Sequence, residues 1–139
     1  MAYDGANVSL SRPGGWGASV AKVNKRAVGE LGERIASAFL TLKGYEVLRT
    51  NLRYAGREVD ILARDGDSLV AVEVKLRRGR RYGKAAEAVD ARKLGRIRLA
   101  LEGIVAAWDT PLKPRIDVVA IDFTDDMASM VVEHLIGVY

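Results

Sequence analysis

Cysteine is absent from the 139-residue chain, and histidine occurs once, at His134. Without thiols there is no disulfide framework, no thiolate zinc site and no cysteine nucleophile. Carboxylates, lysines and arginines are left to carry any chemistry. Long hydrophobic runs are missing too: no stretch approaches the roughly 20 consecutive apolar residues that a membrane helix needs. The first 20 residues hold no apolar segment of secretory type, because Asp4 and Arg12 are charged and Pro13-Gly14-Gly15 interrupts them. No membrane partner and a cytoplasmic location are expected. Aromatics make up only 6% of the chain, yet 49% of it is hydrophobic. That excludes wholesale disorder and leaves one ordinary domain.

What is present is charge, unevenly placed. The net charge is +4, but residues 75–98 carry 10 Lys and Arg against 2 Asp and Glu, and residues 99–139 carry 2 against 7. A cationic segment beside an acidic tail favours a polyanionic partner met on one face. A solvated basic loop and helix face is the bland alternative.

Residues 1–21, with Gly5, Pro13, Gly14, Gly15 and Gly17 and no period, read as a flexible arm before a single domain at 22–139. From about Arg26 to Lys43, Val28, Leu31, Ile35, Phe39 and Leu42 recur at helical steps, and Gly44 sits where a helix commonly ends. Gly29, Ala36 and Leu40 form a shallower stripe, with Glu33 on the flank of the buried face. Three strand-like runs follow: Tyr45 to Arg53, Glu58 to Arg64 and Ser68 to Arg77. In the third, Val70, Val72, Val74 and Leu76 point one way and Leu69, Ala71, Glu73 and Lys75 the other. A second helix is expected from about Lys84 to Trp108, with Ala86, Val89, Leu94, Ile97, Leu101, Ile104 and Trp108 as its apolar stripe. Pro111 and Pro114 end it. Arg115 to Phe123 and Met130 to Tyr139 read as further strands. The order αβββαββ suggests one mixed sheet flanked by helices.

Chemistry concentrates in the middle hairpin. If Gly66-Asp67 is a two-residue turn, paired residue numbers sum to 133. Asp60 then falls opposite Glu73, and Glu58 opposite Lys75, with Cβ atoms about 4.5–5.5 Å apart. Opposed like charges destabilise a sheet, and one of the two acids resists ionising unless a cation joins them. Mg²⁺, with Mn²⁺ as a substitute, suits such a pair, since it takes oxygen ligands and keeps several waters or substrate oxygens. Glu33 could add a further ligand, directly or through water. Lys75 shares the face of Glu73, where an amine can orient water and stabilise charge on phosphoryl oxygens. The competing structural reading is a plain cross-strand ion pair between Glu58 and Lys75.

Arg77, Arg78, Arg80, Arg81, Tyr82 and Lys84 leave the same strand as Glu73 and Lys75. They read as a cationic loop tracking phosphates, with Tyr82 able to stack on a base. Arg92, Lys93 and Arg96 extend that surface along the second helix. His134 reads as structural, Trp108 as core, and Trp16 as a residue without a local core.

The ordered set Gly32-Glu33, Arg57-Glu58-Val59-Asp60 and Glu73-Val74-Lys75 resembles the signature of the restriction-endonuclease-like nucleases, the PD-(D/E)xK superfamily. More closely, the chain resembles the YraN-like family of small bacterial proteins predicted to be endonucleases and similar to archaeal Holliday-junction resolvases. The match runs from about Glu30 to Phe123 and takes in Asn51-Leu52-Arg53, Tyr82-Gly83, Glu87-Ala88-Val89, Lys93 and Arg115-Ile116-Asp117-Val118-Val119. This resemblance implies an α/β fold with an αβββαβ core, here with an extra C-terminal strand, and Mg²⁺-dependent phosphodiester hydrolysis. It carries metal ligation onto Asp60, Glu73 and the Val74 carbonyl. It makes Glu33 a supporting acid, Lys75 the catalytic lysine and Lys93 a helper from the second helix, with Glu58 in phase as a further supporting acid. A homodimer is implied by the likeness to enzymes that must cut two strands. Two departures stand out: Val59 occupies a position where some relatives have proline, and Arg57 is an apparent insertion after Gly56.

The reading that follows is a metal-dependent endonuclease acting on DNA, including branched or structured DNA. Its rival is a non-catalytic module of nuclease-like fold that grips nucleic acid or a protein.

Overall fold

The computed structural model describes residues 2–9, 25–79, 90–126 and 128–139. Six strands, β1 (Ala2–Ser9), β2 (Glu46–Tyr54), β3 (Arg57–Asp65), β4 (Ser68–Arg78), β5 (Lys113–Phe123) and β6 (Ser129–Ile136), form one sheet in the order β1-β6-β5-β4-β3-β2. Helices α1 (Lys25–Leu42) and α2 (Ala91–Trp108) cover its two faces. The β4–β5 pair is parallel and all others are antiparallel. The α/β fold, with its mixed sheet and two flanking helices, is consistent with a restriction-endonuclease-like core, and β6 is the additional C-terminal strand. Ala2–Ser9 corrects the expectation of an arm: it pairs along the outer edge of β6, which otherwise leaves backbone donors and acceptors unpaired. The rest of that segment, including Trp16, lies outside the described residues.

Helix α1 ends as expected, with Gly44 in a left-handed conformation (φ 92°) and Tyr45 N–H donating to Leu40 O. Its buried face differs from the expected one. Gly32, Ala36 and Leu40 point inward, while Leu31 is 43% and Leu42 88% exposed. The small residues decide this. A Cβ on Gly32 would come within 3.2 Å of Leu76, so the helix closes on β4 through its glycine and alanine, and its larger residues straddle the contact. Ile35 and Phe39 remain packed on the same cluster.

The hairpin register is as the Gly66-Asp67 turn requires. Pairs run from Asp65–Ser68 to Ile61–Val72, and Gly66 supplies the positive φ of the turn (57°). Val70 and Val72 face α1, whereas Leu69 and Ala71 face α2. Glu73 therefore points to the α2 side. Helix α2 is capped by Asp90, whose Oδ1 accepts from Arg92 N–H (2.9 Å) and Lys93 N–H (3.4 Å). It begins at Ala91, where a start near Lys84 was expected; positions 84–89 lie outside the described residues. It buries Ile97, Ala100, Leu101 and Ile104. Trp108 is 45% exposed, because the helix ends there at Asp109 in a left-handed conformation, and so it is not core.

A polar network is buried under α1 at the β5–β6 end. Asp117 accepts from Arg115 Nε (3.0 Å), Tyr45 OH (3.1 Å) and Gly137 N–H (2.9 Å), and pairs with His134 Nε2 (2.9 Å). The other ring nitrogen of His134 meets Lys43 Nζ at 2.8 Å. Burial pushes the Asp117 carboxyl up, but the bonds from His134, Arg115 and Gly137 outweigh it and hold the carboxyl below its ordinary value. His134 is thus a satisfied structural residue, which is how such a group survives in a core.

Candidate active site

Strands β3 and β4 stop pairing regularly after Ile61–Val72, and the acids converge where they part. The Val74 N–H, no longer bonded to β3 backbone, donates to Asp60 Oδ2 at 2.9 Å. That bond fixes the Asp60 carboxyl beside Glu73. Burial, followed by the charge of Glu73, pushes Asp60 up to about 6, against the pull of the Val74 N–H and of Lys93. The Glu73 side chain is only 5% exposed. Lys93 Nζ lies 2.5 Å from its Oε1 and Lys75 Nζ lies 3.6 Å away. Lys93 is therefore the close hydrogen-bonding partner of this enclosed oxygen, and Lys75 acts on it as a nearby charge. Burial lowers the Lys93 ammonium pKa, but Glu73 and Asp60 more than offset this and hold it above its usual range.

Glu33 approaches from α1. Burial raises its carboxyl pKa, a hydrogen bond from Asn51 opposes that, and the charges of Asp60, Glu58 and Glu30 reinforce it. Asn51 was not singled out from the sequence as a site residue. It holds a left-handed backbone conformation (φ 51°) within β2, an uncommon state for which asparagine is better suited than most residues. It sits near the register shift of the bulged β2 edge.

Asp60, Glu73, Lys75 and Lys93 are therefore brought together, with Glu33 within electrostatic range. Glu58 is not placed as expected. Pairing between β3 and β4 has ended before it would reach Lys75; Glu58 instead pairs with Arg53 of β2, and Lys75 turns to Glu73. Arg77 is also redirected. It is the register partner of Asp122 on β5 and binds that fully buried carboxylate through two nitrogens at 2.6 and 2.8 Å, so its charge is spent inside the sheet. Arg78 is exposed and donates to Asp125 O at 2.7 Å. Arg92, Lys93 and Arg96 line one groove along α2. Arg80, Arg81, Tyr82 and Lys84 lie outside the described residues.

A half-buried carboxylate and a buried one held side by side, the first with its pKa raised, form a donor set suited to a hard divalent cation. The Val74 carbonyl lies on the backbone between Glu73 and Lys75. Among the described residues, no three metal-ligating side chains cluster. No described helix is long and apolar enough to cross a membrane.

Comparison with known proteins places this site in context. Residues 32–121 match the family model described as "Uncharacterised protein family UPF0102". That span runs from the residue before Glu33 into β5 and includes every residue of the acid and lysine cluster. A UPF0102 protein of Symbiobacterium thermophilum is 47% identical over 98 residues, covering 70% of this chain and 83% of its own. One from Beutenbergia cavernae is 44% identical over 115 residues, 82% of this chain and 97% of its own. One from Kineococcus radiotolerans is 43% identical over 116 residues, 82% and 94%. This chain belongs to the UPF0102 family, the YraN-like family that its sequence resembles.

Proposed function

We propose that the chain is a metal-dependent endonuclease that hydrolyses phosphodiester bonds in DNA. The observation that carries this reading is half-buried Asp60 held beside buried Glu73, with two amines against Glu73. Asp60, Glu73 and the Val74 carbonyl would hold Mg²⁺ or Mn²⁺. Such an ion, when bound, supplies positive charge to the phosphoryl oxygens and makes water more acidic. The chain's own residues then divide the remaining work. Asp60 is fixed by the Val74 N–H, so its free oxygen keeps one orientation. Lys75 places an ammonium where a phosphoryl oxygen gathers charge and can hold a water by its lone pair. Lys93 balances Glu73 and stands on the groove side, where a phosphate would arrive. Glu33 adds a further acid from α1.

The Lys93–Glu73 contact also favours the rival reading, a binding module that does not cut, because a lysine already balances the acid pair. Cleavage of duplex, single-stranded, flap and four-way DNA in Mg²⁺, Mn²⁺ or EDTA separates the two. Metal-dependent cutting that is lost in Asp60→Ala is the expected result. Binding by both proteins without cutting in any metal would overturn the nuclease reading.

A further inference from the structure

A groove of about 600 Å³ runs between the β2–β3 turn and the first half of α2. Sequence reasoning found only its helical wall. The opposite rim is Arg57, the apparent insertion, and the floor includes Ile97 and the half-exposed Leu99. Asp90 also lines the groove, but its carboxylate is taken up in capping α2. The lining therefore sets Arg57, Arg92, Lys93 and Arg96 against Glu58 and the capping Asp90, a net excess of two positive charges. Lys93, Asp90 and Ile97 also line the small recess over Glu73, so the groove lies next to Glu73 with Lys93 shared between them.

Its width is fixed. Ala55 and Gly56 both have positive φ (50° and 74°), as in a tight two-residue hairpin turn. Tyr54 OH donates to Gly103 O at 3.2 Å and clamps that hairpin onto α2.

Resting on the nuclease reading, we propose that this groove receives an unpaired nucleotide flanking the bond to be cut. The substrate class is then DNA with a single-stranded stretch beside the cleavage position, in preference to continuous duplex. The cationic rim meets phosphates. An exposed leucine on the floor meets the face of a base, and guanidinium planes can stack on it. A base inside a duplex is already stacked and must leave the stack to reach such a floor, which costs free energy. A volume of this size encloses a ligand the size of a nucleotide, not both strands of a helix. Among the described residues, no Asn or Gln lines the groove, so none of them offers the amide pattern that reads adenine edges.

Fluorescence anisotropy of the full chain in EDTA tests this on three labelled DNAs: a single strand, a blunt duplex, and a duplex with a short gap. Wild type is expected to bind the single strand and the gapped duplex about tenfold more tightly than the blunt duplex. Leu99→Glu and Arg57→Ala are each expected to reduce that preference to within about twofold, weakening single-strand and gapped-duplex binding more than blunt-duplex binding. Both positions are solvent-accessible, and unchanged thermal unfolding of at least one variant validates the comparison. Absence of the preference in wild type, or its survival in both variants, overturns the proposal. EDTA keeps the outcome separate from catalysis. A wild type that prefers gapped DNA but never cuts with Mn²⁺ refutes the nuclease reading and leaves the groove assignment standing; cutting without the preference refutes the groove alone.

Discussion

The Lys93 ammonium stands 2.5 Å from Glu73 Oε1, closer than Lys75 at 3.6 Å on the same strand as the acid. A residue of α2 is thus the nearest counter-charge to a carboxylate of β4. It occupies space that a divalent cation on Glu73 would share. Cation and lysine compete for the same oxygen, and the competition is measurable. In Lys93→Met the acid pair loses its nearest positive charge, so the metal-free protein should be destabilised by about 1–3 kcal/mol, below the cost of breaking a fully buried pair because Lys93 is partly exposed. Mn²⁺ should then raise the unfolding temperature of the variant by more than it raises that of wild type. Equal shifts in the two proteins would show that Lys93 and the cation do not compete.

Asp60 provides a test of opposite sign. Its carboxyl is pushed up to about 6 in the folded chain, so below about pH 4 both states are protonated and there is no penalty. As pH rises towards 6 the unfolded chain ionises freely and the folded one resists, so metal-free stability falls and then levels off. The accumulated cost is about 2–3 kcal/mol at neutral pH. Asp60→Asn keeps an oxygen for the Val74 N–H and removes the charge. It should be more stable than wild type by up to that amount at neutral pH in EDTA, with the advantage vanishing near pH 4. Urea unfolding at the two pH values measures it. An advantage of the same size at both would mean that ionisation of Asp60 is not its source.

Much of this site was legible in the sequence because a two-residue turn fixes a register. Asp65-Gly66-Asp67 set the pairing through Ile61 and Val72, and alternation then put Glu73 and Lys75 on one face. What the same rule could not show was where pairing stops. The strands part beyond Ile61, so Glu58 never meets Lys75, and the parting frees the Val74 N–H that anchors Asp60. Arg77 looked like a phosphate ligand because its partner Asp122 is 45 residues away on a parallel neighbour, a pairing no local pattern specifies. Helix α1 was rotated from expectation because hydrophobicity ranks Leu31 and Leu42 above Gly32, whereas close packing on Leu76 favours the residue with no side chain. Strand β1 carries no clear alternation and rests on the sheet edge, so only the vacant edge of β6 identifies its place.

The buried network around Asp117 predicts how the fold resists acid. Its folded pKa lies below the ordinary aspartate value. The stabilisation is therefore present above about pH 4 and is lost as pH falls below that through the folded pKa. Asp117→Asn leaves Arg115 with Asp65 as its remaining carboxylate and disturbs the His134 bond. A loss of about 1–3 kcal/mol is expected at neutral pH, because Arg115 keeps Asp65 and is partly exposed while its bonds and that of His134 to a charged acceptor are weakened. The gap between variant and wild type should narrow as both are taken below about pH 4, because wild-type Asp117 then loses its own charge. Urea unfolding of both proteins across that range tests this, and a gap independent of pH would mean that hydrogen-bond geometry, not charge, carries the effect.

Two glycines of α2 separate packing from helix propensity. Gly95 has open space around a would-be Cβ, while at Gly103 the same atom would lie 2.5 Å from Tyr54 Cε1. Replacing an unencumbered helical glycine by alanine stabilises by about 0.5–1 kcal/mol, so Gly95→Ala should raise the unfolding temperature. At Gly103 the same propensity gain is opposed by an overpacking cost of about 1–3 kcal/mol. The Tyr54 ring is also tethered through its hydroxyl to Gly103 O and cannot withdraw without losing that bond. Gly103→Ala should therefore lower stability. Made in a Tyr54→Ala background, where the obstructing ring is gone, the substitution should reverse sign and behave like Gly95→Ala. Thermal unfolding of the four proteins of that cycle measures the coupling, and additive effects would show that the hairpin is not clamped to α2 through this contact.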